Sequence, residues 1–297
     1  MKRVQRDQLT YRFATDVAPV LEAAPGETIA LESYDTSTGA VLQPGNLLTY
    51  MSRPGHANPA AGPVFVTGAE PGDTLVVEII DISLDEVGTL RVVPGKGIFA
   101  EGMRAPYGRL VHIKEGMAIF SPAISFPVRP MVGVIATSPA EGELTTNLSG
   151  EVGGNLDHND VAVGSKVYLP VLVPGALLGL GDLHASMGDG EVTCNGVEIG
   201  GCTTVRLGLI KGRRWPRPWL ETAESWITSA TGANLAEAIR VAVSDMIDLL
   251  VERLAINRED AYMLISARGD VRIGQSCAGG NRPTVRVVFG KLTPEAK

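Results

Sequence analysis

Short runs of alternating hydrophobic and polar residues make up most of the chain before residue 215. Many of these runs are rich in β-branched residues, and glycines and prolines fall mostly between them. A period of two is the pattern of strands that bury one face. It predicts strands at 28–34, 63–67, 74–82, 89–93, 109–113, 117–119 and 131–136. Because no long amphipathic helix precedes residue 215, we expect a mainly β (α+β) fold with a jelly-roll-like sandwich or barrel.

The stretch from Glu151 to Glu191 contains two polar clusters separated by one apolar run. The clusters, at 155–160 and 182–191, contain two of the four histidines of the chain. The run between them is too rich in proline and glycine for a helix. It predicts two buried strands, Val167–Val173 and Leu177–Leu180, with a turn at Pro174-Gly175. Each polar cluster therefore lies beside a rigid strand, which favours groups that converge on a ligand.

Helical periodicity is confined to the C-terminal quarter. Asn234 and Glu237 have the spacing of a capping box, and apolar residues then recur at helical spacing through Arg253. A short helix at 258–265 and strands at 271–273 and 284–289 are predicted to follow. No linker precedes this region, so we expect one unit over residues 1–297. A β-rich core (1–210) would carry the site, with an α+β appendage (211–297) packed on it.

Composition and charge narrow the classes of partner. The 297 residues carry a net charge of −7 with no block of Lys or Arg, which disfavours nucleic acid and anionic membranes as partners. Three cysteines without CxxC spacing argue against a disulfide framework or a zinc ribbon. The N-terminal residues lack the apolar core of a signal peptide, and no window has the length of a membrane span. We therefore expect a cytoplasmic protein.

Asp182 and His184 are the first candidates for metal ligands. On a regular extended segment their side chains would point to the same side of the chain. A carboxylate and an imidazole suit a divalent cation such as zinc, and Asp157 is a third candidate ligand. Glu191 or Asp189 is then the candidate base that takes a proton from water.

Two alternatives to a catalytic metal site stay open at this point. The polar clusters also fit ordinary turn-forming loops that bind nothing. A calcium loop fits less well, because Val161 stands where its third ligand belongs.

Other kinds of catalytic site have weaker support. The chain has no G-x-S-x-G elbow and no glycine-rich nucleotide loop. Cys194 and Cys202 lie in apolar, strand-like sequence, which is typical of inert thiols, whereas Cys277 lies in a glycine-rich segment and stays a candidate nucleophile. His56 lies on a Pro/Gly loop that could reach a site, and we expect it to bind substrate. His112, within a strand, is expected to be a core or edge residue.

Three blocks of sequence resemble one known family when taken together. They are NPAAGPVFVTGAEPGDTLVVEIIDI (58–82), GGNLDHNDVAVGSKVYLPVLVPGALLGLGDLHASMGDGEV (153–192) and DAYMLISARGDVRIGQ (260–275). In this order they resemble the acetamidase/formamidase family over most of the chain. The resemblance implies hydrolysis of the C–N bond of small amides with release of ammonia. It also implies a mainly β fold with jelly-roll character and a divalent metal, commonly zinc.

The family pattern falls on the two polar clusters, and we expect Asn155 to contact the carbonyl or the amide group of the substrate. The matched positions are Asn155 and Asp157 (GN-x-D), Asp182 and His184 (GD-x-H), Asp189 and Glu191 (GDGE), and Glu198 seven residues later. A homo-oligomer, dimeric or higher, is expected from the family and from the common symmetry of soluble enzymes.

Two departures from the family pattern bear on the substrate. Met187 stands where members often carry Gln, and Ala61 where they often carry Thr. Both changes remove hydrogen-bonding groups, so a cyclic amide such as a γ-lactam is an alternative substrate to formamide and acetamide. A non-catalytic β-module held together by a metal, and a cysteine amidase that uses Cys277, are the competing hypotheses.

Overall fold

The computed structural model describes residues 1–53, 55–276 and 282–292, and it confirms the mainly β fold. Cys277 lies outside the described residues. The helices are a 3₁₀ turn at Ala100–Gly102, α1 (Leu235–Leu254) and α2 (Arg258–Arg268). The strands are β1 (Lys2–Val4), β2 (Leu9–Thr10), β3 (Arg12–Ala14), β4 (Leu21–Ala23), β5 (Thr28–Ser33), β6 (Ala60–Val66), β7 (Thr74–Leu84), β8 (Val87–Val92), β9 (Tyr107–Lys114), β10 (Met117–Ser121), β11 (Ile124–Pro127), β12 (Met131–Ala136), β13 (Glu143–Thr145), β14 (Ser149–Gly150), β15 (Gly153–Asn155), β16 (Lys166–Pro170), β17 (Leu178–His184), β18 (Glu198–Ile199), β19 (Gly201–Ile210), β20 (Trp219–Glu221), β21 (Ser225–Thr231), β22 (Gly269–Ile273) and β23 (Thr284–Gly290).

Two large sheets account for most of these strands. Within the described residues, one sheet has nine strands in the order β1-β5-β19-β7-β16-β20-β21-β23-β22. The other follows the order β11-β10-β9-β8-β18-β17-β12-β15-β14, and β6 joins it through β17 and carries β2 and β4. Aliphatic side chains from both sheets, such as Ile29, Leu75, Leu180 and Ile199, form one continuous buried core. Such a core is the main stabilising term of the fold.

The C-terminal residues extend the first sheet and cover it with helices. Strands β20 to β23 continue the sheet from β16, and α1 packs on β21 and β23. The apolar face of α1, including Met246 and Leu250, contacts Trp219 and Phe289 in a second core. Asn234 accepts a hydrogen bond from the amide of Glu237, as the capping box predicted. No helix in the described ranges is long and apolar enough to cross a membrane.

The apolar run between the polar clusters folds differently from its prediction. The expected strand 167–173 ends at Pro170, and the turn that follows includes Ala176 and Leu177, both with left-handed φ angles of 57° and 56°. The second strand continues past Leu180 to His184, because β12 pairs with one edge of it throughout, while β6 and then β18 pair with the other edge. This extension carries Asp182 and His184 into the middle of the second sheet.

Candidate active site

Five side chains from the centre of the second sheet and its adjoining loops converge on a buried point. We call them the acidic cluster: Asp157, Asp182, His184, Glu191 and Glu198. Asp182 and His184 lie on β17, and Glu198 lies on β18 directly opposite His184. The His184 Nε2 atom is 3.1 Å from Glu198 Oε1 and 4.0 Å from Glu191 Oε1, and His184 Nδ1 is 3.9 Å from Asp157 Oδ1. Every member is at most 7% exposed. The structure therefore brings the three predicted ligands together with Glu191.

Three of these carboxylate residues have backbone conformations that L-residues rarely adopt. The φ angles are 48° at Asp157, 56° at Asp182 and 41° at Glu191. Asp182 and His184 lie on a strand and their side chains converge as predicted, but the backbone between them is irregular, because β17 passes through the left-handed region at Asp182. Strain of this kind persists where the surrounding structure imposes it, and it is concentrated at functional sites.

Gly133 on β12 leaves the space that two of the carboxylates occupy. A Cβ atom at this position would lie 2.6 Å from Asp157 Oδ1 and 3.0 Å from Asp182 Oδ2. Its neighbours on β12 pair with β17 on either side of Asp182. A residue without a side chain is therefore required at the point where the two carboxylates meet.

The C-terminal segment after β22 closes the site from the other side. The amide of Gly190 donates to the carbonyl oxygens of Ile273 (2.9 Å) and Gly274 (3.0 Å), and the amide of Ser276 donates to the Gly190 carbonyl (3.0 Å). The side-chain amide of Gln275 donates to Asp157 Oδ2. Residues far apart in sequence thus fix both the Glu191 loop and the Asp157 carboxylate.

Burial and mutual repulsion perturb the acid–base properties of the cluster. Burial, reinforced by Glu198, raises the pKa of Asp157 to about 6, against the opposing effect of His184. Burial and neighbouring carboxylates raise the pKa values of Asp182 and Glu191 well above their usual range. Burial alone would lower the pKa of His184, but Glu198 and the aspartates raise it well above its usual range. Four ionised carboxylates would exceed the charge that one imidazolium offsets, so without a cation the cluster binds protons more readily than isolated carboxylates do.

The donor set of the acidic cluster fits a divalent cation. Ligand atoms form two groups of three, and within each group the atoms lie within 4.8 Å of one another. One group comes from Asp157, His184 and Glu191, and the other from Asp182, His184 and Glu198. One buried oxygen of each of Asp157, Asp182 and Glu198 has no hydrogen-bond partner among the described residues. Buried anionic oxygens of this kind are stabilised by metal coordination, which removes the large cost of an isolated buried charge. Carboxylates with one imidazole suit zinc or another first-row ion.

A cavity of about 230 Å³ opens beside the acidic cluster. Asp182, Glu191 and Glu198 line its inner part, and Asn155 lines it too. The Asn155 side chain is 5% exposed, and its oxygen has no hydrogen-bond partner in the described part of the chain. A small molecule in this cavity can therefore reach the cluster and a polar amide at the same time.

The structure places Asp189 and His56 away from the acidic cluster. Asp189 is half-exposed and forms an ion pair with Arg286 at 2.6 Å. Burial by itself would raise the pKa of Asp189, but the hydrogen bonds from Arg286 and Asn159 keep it below its usual range. His56 is exposed, with its ring centroid 5.0 Å from that of Tyr11, although the adjacent Ala57 lines the cavity.

Other residues considered from the sequence have different surroundings from those expected. Cys194 lies outside the strands, in the loop before β18. It has a left-handed φ of 59° and lines the cavity. Cys202 lies in β19 as its strand-like sequence indicated. His112 lies on β9, which pairs with β8 and β10 on both sides, and its side chain is exposed, so it is neither a core nor an edge-strand residue. His158 is fully buried, and burial and Arg286 lower its pKa well below the usual range.

Sequence reasoning did not assign roles to three residues that build the site. Glu198 was matched only through the family pattern, and nothing in the short VEIGG segment marks it as a ligand. Gln275 and Gly133 gave no local signal, because each acts on a residue distant in sequence. The pairing of β17 with β12 and β18 supplies that information, and only the folded sheet contains it.

Comparison with known proteins agrees with this arrangement. A model of the Acetamidase/Formamidase family matches residues 1–149 and 140–279. This chain belongs to that family. The solved acetamidase from Bacillus halodurans is 34% identical, with 97% of each chain covered and a TM-score of 0.91.

More distant relatives and structures set the limits of the comparison. The formamidase of Methylophilus methylotrophus is 25% identical over an alignment of length 274, and the match covers 70% of this chain and 65% of that protein. The chain thus spans slightly less than two-thirds of the length of the curated relatives that it matches first. The γ-lactamase from Delftia acidovorans has 21% identity and a TM-score of 0.64, with 99% of this chain and 93% of that chain covered, and it shows a shared fold alone.

Proposed function

We propose that this member of the acetamidase/formamidase family hydrolyses the C–N bond of a small amide and releases ammonia. The observation that carries the proposal is the buried acidic cluster opening onto a cavity large enough for a small molecule. Membership of a family named for acetamidase and formamidase supports the same reaction.

Asp157, Asp182 and His184 are the proposed metal ligands, and Glu198 completes the set. When bound, a divalent cation supplies Lewis acidity toward the amide carbonyl and toward water. The three carboxylates and the imidazole hold complementary charge at one end of the cavity.

Glu191 is the proposed general base. It lies in the acidic cluster and lines the cavity, whereas Asp189 does neither and is committed to Arg286. Glu191 takes a proton from the attacking water, whose oxygen forms the new bond to the carbonyl carbon. The same carboxyl group then protonates the amide nitrogen as the C–N bond breaks, giving a carboxylate and ammonium.

Asn155 is the proposed contact that orients the amide. Its unpartnered oxygen accepts a hydrogen bond from the substrate NH₂ group, which holds the carbonyl carbon toward Glu191. His56 keeps a proposed role at the outer edge of the substrate path, where its neighbour Ala57 lines the cavity.

The competing hypotheses differ from this proposal in what they require of the site. A metal that only holds a β-module together suits a closed shell, and catalytic sites instead keep access for a substrate. The cavity beside the acidic cluster therefore favours catalysis. Ring opening of a γ-lactam stays an alternative, because Ala61 and Met187 are both buried and apolar. Zinc as the metal, a homo-oligomer and a cytoplasmic location stay predictions.

A panel of small amides with and without a chelator tests the proposed function. We expect ammonia from at least one of formamide, acetamide and propionamide, or loss of a γ-lactam, and we expect chelation to abolish it. Short peptides should not be cleaved. Peptide cleavage without turnover of any small amide would overturn the proposal.

A further inference from the structure

Two cationic side chains line the cavity that the acidic cluster opens into. Arg91 lies near the end of β8 and Lys96 on the loop that follows it, and both contribute to the cavity wall. Neither takes part in the proposed hydrolysis. A small neutral amide such as acetamide has no anionic group to pair with a cation, so two cationic side chains in the wall point to a charged substrate group.

Backbone pairing fixes the position of this segment relative to the acidic cluster. Thr89 of β8 pairs with Glu198, and residues two apart on a strand face the same side. Arg91 therefore lies about 7 Å along the strand from the position opposite Glu198. The amide of Ile98 donates to the carbonyl of Val192 at 2.9 Å, which ties the Lys96 loop to the residue after Glu191.

The Arg91 guanidinium keeps donors that no carboxylate of the described residues uses. It donates from Nη1 to the backbone carbonyl of Tyr50 at 3.1 Å, and its carbon lies 6.0 Å from the Tyr50 ring centroid. Its Nε atom is buried without a hydrogen-bond partner among the described residues and does not face the cavity, so Nη1 and Nη2 are the donors that a ligand can reach, and no carboxylate of the described residues forms an ion pair with them. Lys96 is exposed at the same wall. A guanidinium held in this way is suited to bind a carboxylate through two parallel hydrogen bonds.

The cavity has room for more than acetamide. Its volume is about 230 Å³, whereas about 10–15 Å³ of cavity is enough for one water molecule. A substrate that extends from the acidic cluster toward Arg91 therefore fits better than one with four heavy atoms.

We infer that the preferred substrate is an amide that carries a carboxylate group, with Arg91 as the residue that selects it and Lys96 as a weaker outer contact. The inference rests on the proposed amide hydrolysis and names its substrate class. The compounds that match are monoamides of short dicarboxylic acids, with two or three carbons between the two functional groups. Hydrolysis of succinamate, for example, consumes one water and yields succinate and ammonium.

A matched pair of substrates tests the selection. Succinamate and 4-methylpentanamide have the same heavy-atom skeleton and differ in the charged end. With the metal-loaded wild-type protein we expect kcat/KM for succinamate to be higher by about 10- to 100-fold, as hydrogen bonds to a charged group provide. In Arg91→Gln this ratio should fall to near one, and in Lys96→Gln it should fall by less. The ratio is taken within one protein, so a general loss of folded enzyme does not affect it.

A charge reversal and a distant control complete the kinetic test. Arg91→Glu should reverse the preference, so that 3-aminopropanamide becomes a better substrate than succinamate. Arg206→Gln removes a half-exposed arginine on β19 that pairs with Glu78 and lies outside the cavity wall. That variant should keep the wild-type ratio and rate.

Binding of an inert analogue separates failure of the substrate class from failure of the hydrolytic function. Levulinate has a methyl group in place of the NH₂ of succinamate and cannot be hydrolysed, and 5-methyl-2-hexanone is its neutral counterpart. By calorimetry we expect levulinate to bind about 10- to 100-fold more tightly than the ketone, and Arg91→Gln to remove the difference. Equal binding, or a preference that survives Arg91→Gln because the carboxylate binds elsewhere, would overturn the inference. Turnover of neutral amides without a preference for anionic ones would overturn the inferred substrate class and leave the proposed hydrolysis standing. Arg91-dependent levulinate binding without any amide turnover would overturn the proposed hydrolysis and leave the binding of a carboxylate by Arg91 standing.

Discussion

Replacing Gly133 by alanine is a small change that should disable the site. The added Cβ would lie 2.6 Å from Asp157 Oδ1, whereas ordinary contacts begin at 3.4 Å, so the carboxylate must move by about 0.8 Å. It would also lie 2.9 Å from the backbone oxygen of Asp182, which cannot move without shifting β17. Because Gly133 does not have a positive φ, the backbone itself accepts an alanine. Crowding of the two carboxylates is then the main effect.

The expected size of the effect follows from these distances. Overpacking of a core position costs about 1–3 kcal/mol of folding stability, and replacing a strand glycine recovers about 0.5–1 kcal/mol. We therefore expect Gly133→Ala to lose about 1–2 kcal/mol in urea unfolding. Disturbed support of metal ligands typically costs about 10- to 100-fold in metal affinity, and a misplacement near 1 Å costs about 100-fold in rate. Metal affinity is measured by calorimetric titration and rate by ammonia release.

Gly150→Ala provides the matched control for this variant. Gly150 lies at the end of the same sheet, and its added Cβ would meet Leu144 at an ordinary 3.7 Å. We expect this protein to keep wild-type metal affinity and rate. If Gly133→Ala behaves like Gly150→Ala in both assays, the two carboxylates do not form a metal site where the structure places them.

Three further variants test other parts of the account. Cys277→Ser should keep the turnover number within about tenfold, because loss of a true nucleophile costs far more, and complete inactivity of the folded variant would restore the cysteine mechanism. Arg286→Met removes a buried guanidinium that lies 2.5 Å from Asp160, in an ion pair without hydrogen-bond geometry, and 2.6 Å from Asp189. Breaking a buried ion pair costs about 3–5 kcal/mol of folding stability. Because Asp160 and Asp189 are partly exposed, we expect a loss near 3 kcal/mol in urea unfolding. A loss below about 1 kcal/mol would contradict the ion-pair assignment. Burial by itself would raise the pKa of Asp73, but hydrogen bonds from Lys211 and two backbone amides lower it. The ionised Asp73 therefore stabilises the fold above the usual pKa of an aspartate, and this stabilisation is lost as pH falls through the lowered pKa. The difference in urea midpoint between wild type and Asp73→Asn should therefore narrow below about pH 4, and a difference that stays constant into acid would contradict the linkage.

The regular elements of the fold were predictable because their sequence periods are local. The β7 and β12 runs and the α1 helix appear close to their expected positions, since each has a sustained period of two or 3.6. Strand β21 was not predicted, because SWITSAT mixes small and polar residues and is a strand only through pairing with β20 and β23.

The site was predictable only in part, for a different physical reason. Asp157, Asp182, His184 and Glu191 gave a signal because they are dense in two clusters, and the fold brings them together. The left-handed backbone at Asp182 could not be foreseen, because alternation of residue types does not report the sign of φ. Glu198 and Gln275 reach the site by strand pairing and by a contact between residues 118 positions apart.

Metal content measured beside the rate of ammonia release tests the central claim most directly. If Asp182 and His184 share a divalent cation, Asp182→Asn and His184→Ala should lose both the metal and the activity. Glu191→Gln keeps the shape of the side chain and removes its basicity, so this variant should keep the metal while the rate falls by about 10²- to 10⁴-fold. Loss of metal from Glu191→Gln would make Glu191 a ligand and not the base. If all three folded variants keep their metal and near-normal rates, the acidic cluster is not the active site.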